Sequence, residues 1–311
     1  MVEAAIRAEH FRKAFGGTVA VDDVCFTVAP GTVAGLLGPN GAGKTTVINC
    51  LSTLERPDSG QLSIMGHDTV REAALVRAQI AVSGQSTAVD EMLTGRENLV
   101  LFGRLLRLGK AAARRRAAEL AERLGIGDEA DRAVRTYSGG MRRRLDLAVS
   151  LVVPRPVLFL DEPSTGLDPR SRFALWDAVR DLRAAGTSVL LTTQYLEEAD
   201  QLADTILLMD KGKVVAEGSP AELRVTLGGA VCEARVPDPA RLAAARTALA
   251  EWFGQVTVDD DLIRLPATGL GTLADVVKVL DGCGAEATEV SLRSPTLEEI
   301  FLTLTAPVAT P

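Results

Sequence analysis

The stretch Gly38-Pro39-Asn40-Gly41-Ala42-Gly43-Lys44-Thr45 constrains this chain more than any other. It satisfies G-x-x-x-x-G-K-[ST] in full, directly after the apolar run Val33-Ala34-Gly35-Leu36-Leu37 and directly before the helix-like Thr46 to Leu54. Glycine lets a backbone wrap closely enough for its N–H groups to point at phosphate oxygens, and the helix start adds its positive dipole end. A strand feeding such a loop implies an α/β fold with a phosphate-bearing ligand. The expected nucleotide-phosphate contacts are Gly38, Pro39, Asn40, Gly41, Ala42, Gly43, Lys44, Thr45 and Thr46. Lys44 suits the β- and γ-phosphates, and the Thr45 hydroxyl suits Mg2+.

A second run completes the chemistry. Val157-Leu158-Phe159-Leu160 is an apolar strand that delivers Asp161 and Glu162 at its end. Adjacent residues do not share a face, so the two acids are free to do different work. Asp161 suits the magnesium shell, and Glu162 suits a base that orients or deprotonates water. Ser188 to Leu191 and Thr205 to Leu208 read as further buried strands, each ending where polar residues begin. That is the layout of an open parallel sheet with its ligand beyond the carboxyl ends of the strands.

Glu91 to Arg132 has helical spacing and no strand-like run, so it reads as a helical insert. Beyond Leu227 the pattern changes, with Gly228-Gly229 as a plausible hinge. The remainder reads as βαββαβ, a split βαβ unit of the ferredoxin-like kind. A last helix is expected after Ser294-Pro295-Thr296. The expected division is therefore residues 1–227, with a helical subdomain at about 86–140, and a C-terminal α/β accessory domain at 230–308.

Composition excludes rather than identifies. A net charge of −7 disfavours nucleic acid as a partner. No apolar run reaches the roughly 18 residues a spanning helix needs. The longest, Leu145 to Leu160, is broken by Asp146, Pro154, Arg155 and Pro156. Charges within Met1 to Phe15 argue against a targeting signal, so the chain is expected to stay on the cytoplasmic side. Cys25, Cys50, Cys232 and Cys283 stand too far apart for a zinc or disulfide framework. The triplets Arg114-Arg115-Arg116 and Arg142-Arg143-Arg144 read as solvated helical faces.

Tyr137-Ser138-Gly139-Gly140-Met141, ahead of Asp161 and followed by a helix-like stretch, resembles the signature of ABC ATPases. Ser138 with two glycines at a helix start also makes a second anion-binding nest. The resemblance implies a P-loop fold of ABC type, with a mostly parallel sheet, a helical insert and antiparallel N-terminal strands. It also implies that the signature of one copy covers the γ-phosphate of ATP held by another, so the working unit contains a head-to-tail pair. Other family stations follow in order. Phe15 matches the aromatic that stacks on adenine, although an aromatic before Gly-Gly also serves in cores. Gln85 resembles the glutamine that reaches magnesium and water, and Asp168 resembles the aspartate that touches the opposing subunit.

One station departs from the family. Where a switch histidine is usual, this chain has Gln194, which can donate to a γ-phosphate but carries no titrating charge. The motifs together, with the tail Ser294 to Phe301, resemble the ATP-binding subunits of actinobacterial daunorubicin/doxorubicin-resistance exporters. That resemblance implies an ATPase on the cytoplasmic face of the membrane, a separate permease of about six helices, and export of amphiphilic drugs or lipids. The alternatives are a soluble ABC ATPase or a nucleotide-binding switch uncoupled from transport.

Overall fold

A computed structural model describes residues 4–84, 89–228, 230–296 and 298–300. The chain divides into two compact units, Met1–Ser219 and Pro220–Pro311. The division precedes the helix Pro220–Gly228, whereas the Gly228-Gly229 hinge would place it behind that helix. Glycine marks where a backbone is free to bend, but here the helix goes with the second unit.

The first unit contains two sheets. Strands β1 (Ile6–Phe15), β2 (Thr18–Val28), β4 (Ser59–Ile64) and β5 (His67–Asp68) form an antiparallel sheet in the order β2-β1-β4-β5. Strands β3 (Val33–Leu37), β6 (Ile80–Ser83), β7 (Val157–Asp161), β8 (Ser188–Thr193), β9 (Thr205–Asp210) and β10 (Lys213–Gly218) form the other, ordered β10-β9-β3-β8-β7-β6. Only β10 runs antiparallel to its neighbour. Every residue of β3, β7 and β8 is buried, as a parallel strand covered on both faces requires. Apolar clusters form around Leu158, Leu160 and Leu191 and around Leu36, Phe159 and Leu190, so alternate residues of one strand serve different clusters.

Helices α1 (Lys44–Leu51), α2 (Ala73–Gln79), α3 (Gly95–Leu105), α4 (Lys110–Arg123), α5 (Gly139–Ser150), α6 (Pro169–Ala184) and α7 (Leu196–Leu202) complete this unit. The insert is the α3–α4 pair. Thr94 and Glu97 close a reciprocal capping box at the start of α3. Gly103 lets the two helices approach, because a Cβ there would lie 2.9 Å from that of Ala113. No helix among the described residues is long and apolar enough to cross a membrane.

The second unit holds α8 (Pro220–Gly228), β11 (Ala230–Arg235), α9 (Pro239–Phe253), β12 (Thr257–Asp259), β13 (Leu262–Ala267), α10 (Leu270–Gly282) and β14 (Glu289–Arg293). Its antiparallel sheet has the order β12-β13-β11-β14. Strand β13 thus sits between β11 and β12, the interleaving that splits a βαβ unit. Cys232, Leu249, Ile263 and Leu280 lie in its core. Cys50 is also buried, whereas Cys25 is exposed.

Candidate active site

Three parallel neighbours, β3, β8 and β7, end side by side, and each hands the chain to a polar segment. Their register sets Leu37 beside Thr193 and Asp161 beside Thr192. The Gly38–Thr45 loop, the Asp161-Glu162 pair and Gln194 therefore collect at the carboxyl ends of the strands. The loop depends on close approach. A Cβ on Gly43 would lie 2.3 Å from the Ala20 carbonyl oxygen, and Gly43 has φ 102°, which disfavours any side chain.

Lys44, only 4% exposed, donates to the carbonyls of Gly38 at 2.8 Å and Pro39 at 3.1 Å. Its Nζ also lies 3.5 Å from Glu162 Oε1. The ammonium is thus tethered at the mouth of the loop, beside the proposed base. Asp161 is buried and accepts from the Thr192 hydroxyl at 2.6 Å and the Thr45 hydroxyl at 3.3 Å. A carboxylate and a hydroxyl drawn together are hard oxygen donors, the set that suits magnesium.

Glu162 has φ 47°, a left-handed backbone that costs a non-glycine residue about 1–3 kcal/mol. Its N–H donates to Thr192 Oγ1 at 2.9 Å, and Thr165 Oγ1 reaches its carboxylate at 3.3 Å. The turn brings Glu162 to a cavity of about 340 Å³ shared with Gly139, Arg143 and Gly166. On this geometry Asp161 meets the Thr45 hydroxyl, while Glu162 meets Lys44 and Thr165 and lines the cavity.

Ser138 caps α5, its hydroxyl accepting from the Met141 N–H at 3.2 Å. Tyr137 and Met141 require a correction as nucleotide contacts. Tyr137 is buried and donates to the Glu129 carbonyl at 2.7 Å, while Met141 packs against the core. Aromatic and thioether groups beside the insert lower their free energy by burial. Gly140 is covered by Ser171, whose Oγ would lie 2.2 Å from an added Cβ. The exposed part of the signature is Ser138 and Gly139.

Comparison with known proteins fits this geometry. Residues 21–165 match the family model described as ABC transporter. The daunorubicin resistance ATP-binding protein DrrA3 of Streptomyces coeruleorubidus is 53% identical over 308 residues, covering 98% of this chain and 97% of that protein. The chain belongs to the ATP-binding proteins of ABC transporters. As an ABC ATPase it binds ATP and hydrolyses it. It is also similar to the doxorubicin resistance ATP-binding protein DrrA of Mycobacterium tuberculosis, at 49% identity over 97% of this chain and 94% of that one. A Nod factor export ATP-binding protein I of Paraburkholderia xenovorans is 42% identical over 78% of this chain and 80% of its own length. Among solved structures, an ATP-binding subunit of an ABC transporter aligns with TM-score 0.64 and 27% identity, covering 71% of this chain and 92% of that one.

The remaining stations of this ABC ATPase fall as follows. Phe15 is 45% exposed at the end of β1, with Lys13 Nζ 4.9 Å from its ring centre, so it serves no core. Asp168 caps α6 and accepts from both the N–H and the hydroxyl of Ser171, which lowers its pKa. Gln194 is half-buried just past β8. Gln85 lies outside the described residues.

The second arginine triplet is not a solvated face. Arg142 pairs with Glu91 at 2.8 Å, and Arg144 donates to the carbonyls of Leu124 and Gly125 at the end of α4. Arg143 points inward, where burial pushes its pKa down. It donates to the carbonyls of Gly84 at 2.7 Å, Pro163 at 2.8 Å and Asp161 at 2.9 Å. Three consecutive arginines on a helix cannot all face water, because successive residues are about 100° apart. That periodicity was the available signal.

Proposed function

We infer that this ABC ATPase works as a head-to-tail pair on the cytoplasmic face of a membrane, powering export through a separate membrane subunit of about six helices. The observation that carries the reading is a double one. Lys44, Asp161 and Glu162 converge at one end of the sheet, while Ser138 and Gly139 form a second, exposed helix start in the same chain. One chain does not need two phosphate nests, but two copies that exchange them do.

In this mechanism the N–H groups of Gly38 to Thr46 and the Lys44 ammonium hold the phosphates of ATP. Thr45 and Asp161, with Gln85, would hold magnesium, which when bound offsets charge on the β- and γ-phosphate oxygens. Glu162 takes a proton from water as its oxygen attacks the γ-phosphorus and the bond to the bridging oxygen breaks. Asp168 lies at the subunit contact, Phe15 stacks on adenine, and Gln194 senses the γ-phosphate. Closure on ATP and reopening after hydrolysis bias the membrane subunit between two access states.

Amphiphilic drugs or lipids are the proposed cargo, supported by the drug-resistance and export names of the relatives. The test is accumulation of fluorescent daunorubicin in cells producing this chain with its membrane subunit. Export lowers accumulation, and Lys44→Ala restores it. Equal accumulation with the parent chain and with Lys44→Ala overturns drug export.

A further inference from the structure

Arg143 sits where three functional segments meet, yet the chemistry above gives it no task. Its guanidinium satisfies the carbonyl that precedes Glu162 in the chain, Asp161 O, and the one that follows it, Pro163 O. Its third bond goes to Gly84 O, immediately before Gln85. Arg143 itself rides on α5, five residues after Ser138, and its side chain is only 11% exposed. Asp146, one turn on, lies 3.7 Å from Arg143 and accepts from Ser83 Oγ at 2.7 Å, so the same helix turn also grips the end of β6.

The backbone around Glu162 needs such a clamp. A left-handed glutamate persists only where its surroundings over-determine it. Thr192 holds the Glu162 N–H from one side. Arg143 holds the two flanking carbonyls from the other. An arginine suits this because its planar fork directs several N–H groups at once, which an ammonium does not.

We propose that Arg143 is a positioning residue for ATP hydrolysis, fixing Glu162 and Gly84, just past the end of β6, to the helix that bears Ser138 and Gly139. The proposal rests on Glu162 being the base. A shift of α5 on engaging the partner's nucleotide would then reach Glu162 through one guanidinium. Packing alone would make Arg143 matter for melting temperature but not selectively for kcat.

The experiment measures kcat, KM and melting temperature of the full-length chain with magnesium and ATP. The variants are Arg143→Met, Arg143→Lys, Arg144→Met, Glu162→Gln and the double variant Arg143→Met with Glu162→Gln. Arg143→Met should lower kcat at least tenfold with KM within threefold, Arg143→Lys should fall between, and Arg144→Met should stay within twofold. Because Arg143 acts through Glu162, single-turnover rates of the double variant should match Glu162→Gln within twofold. Parent-like kcat in folded Arg143→Met, or a further tenfold loss in the double variant, overturns the proposal. If Arg143→Met melts too low to assay, Arg143→Lys decides: at least a threefold loss in kcat supports the proposal, and parent-like kcat overturns it. Normal turnover by Glu162→Gln removes the base on which the proposal rests, an outcome distinct because Arg143 is intact there.

Discussion

Thr192 donates its hydroxyl hydrogen to Asp161 Oδ1 across 2.6 Å, linking the ends of β8 and β7. Thr192 Oγ1 also accepts from the Glu162 N–H at 2.9 Å, so one buried hydroxyl orients both acids. Thr192→Val keeps the shape and removes both bonds. It should lower stability by about 0.5–1.5 kcal/mol, the net worth of a hydrogen bond, because the Glu162 N–H keeps the Thr192 carbonyl and Asp161 keeps the Thr45 hydroxyl. It should also lower kcat about tenfold, equivalent to about 1.4 kcal/mol of barrier. Chemical denaturation and steady-state phosphate release check the two effects, and Thr192→Ser should restore most of each.

The two signature glycines should separate fold from contact. Gly140→Ala places a Cβ 2.7 Å from that of Ser171 and should cost about 1–3 kcal/mol of stability through overpacking. Gly139 has open space around it, so Gly139→Ala should melt within about 2 °C of the parent, a shift of at most about 1 kcal/mol. Its ATP turnover should nevertheless fall, because in the proposed pair that surface meets the partner's nucleotide. Parent-like turnover in Gly139→Ala would argue against the shared site.

The sensor role proposed for Gln194 rests on a neutral donor that carries no titrating charge. Gln194→Ala should slow turnover about tenfold or more, as loss of a donor to transition-state charge does, while nucleotide binding stays within a few fold. Equilibrium ATP binding and phosphate release on the same sample decide it. Turnover within twofold of the parent contradicts the sensor role.

The second unit carries a pH-dependent element. Glu299 closes a capping box with Thr296 and accepts two bonds from Arg293, at 2.7 and 2.8 Å. The Arg293 bonds hold its pKa down, from 4.5 to about 2. A carboxylate with a depressed folded pKa contributes stability that is fully present above the unfolded value. That contribution fades as pH falls through the folded one. Glu299→Gln should therefore destabilise by about 1 kcal/mol at pH 7, a modest figure because the pair is partly exposed. The gap in melting temperature between parent and variant should shrink below about pH 4.5 and nearly close toward pH 2. A gap independent of pH contradicts the ionic account.

The parallel sheet was legible because β3, β7 and β8 are apolar throughout, and burial on both faces leaves that mark. The antiparallel sheet was not legible from residues alone. Register shifts between Ala8 and Phe11 and between Phe11 and Lys13 break the alternation of β1, with His10 left-handed at φ 49°. The acids and the phosphate loop could be read because each stands at a strand end. Thr192 could not, since nothing in a buried apolar run marks one threonine as the partner of both acids. Glu198 was hidden similarly, as its helix reads acidic and solvated. In fact it is fully buried, accepts from Trp176 Nε1 at 3.1 Å, and has its pKa raised by burial.

The central claim is that Glu162 supplies the base at a site whose phosphates Lys44 holds. Steady-state phosphate release by full-length Glu162→Gln, measured beside equilibrium ATP binding, tests it most directly. The account predicts binding within a few fold of the parent and release lowered about a hundredfold or more, the scale of a lost general base. Release within twofold of the parent, with binding intact, would contradict it.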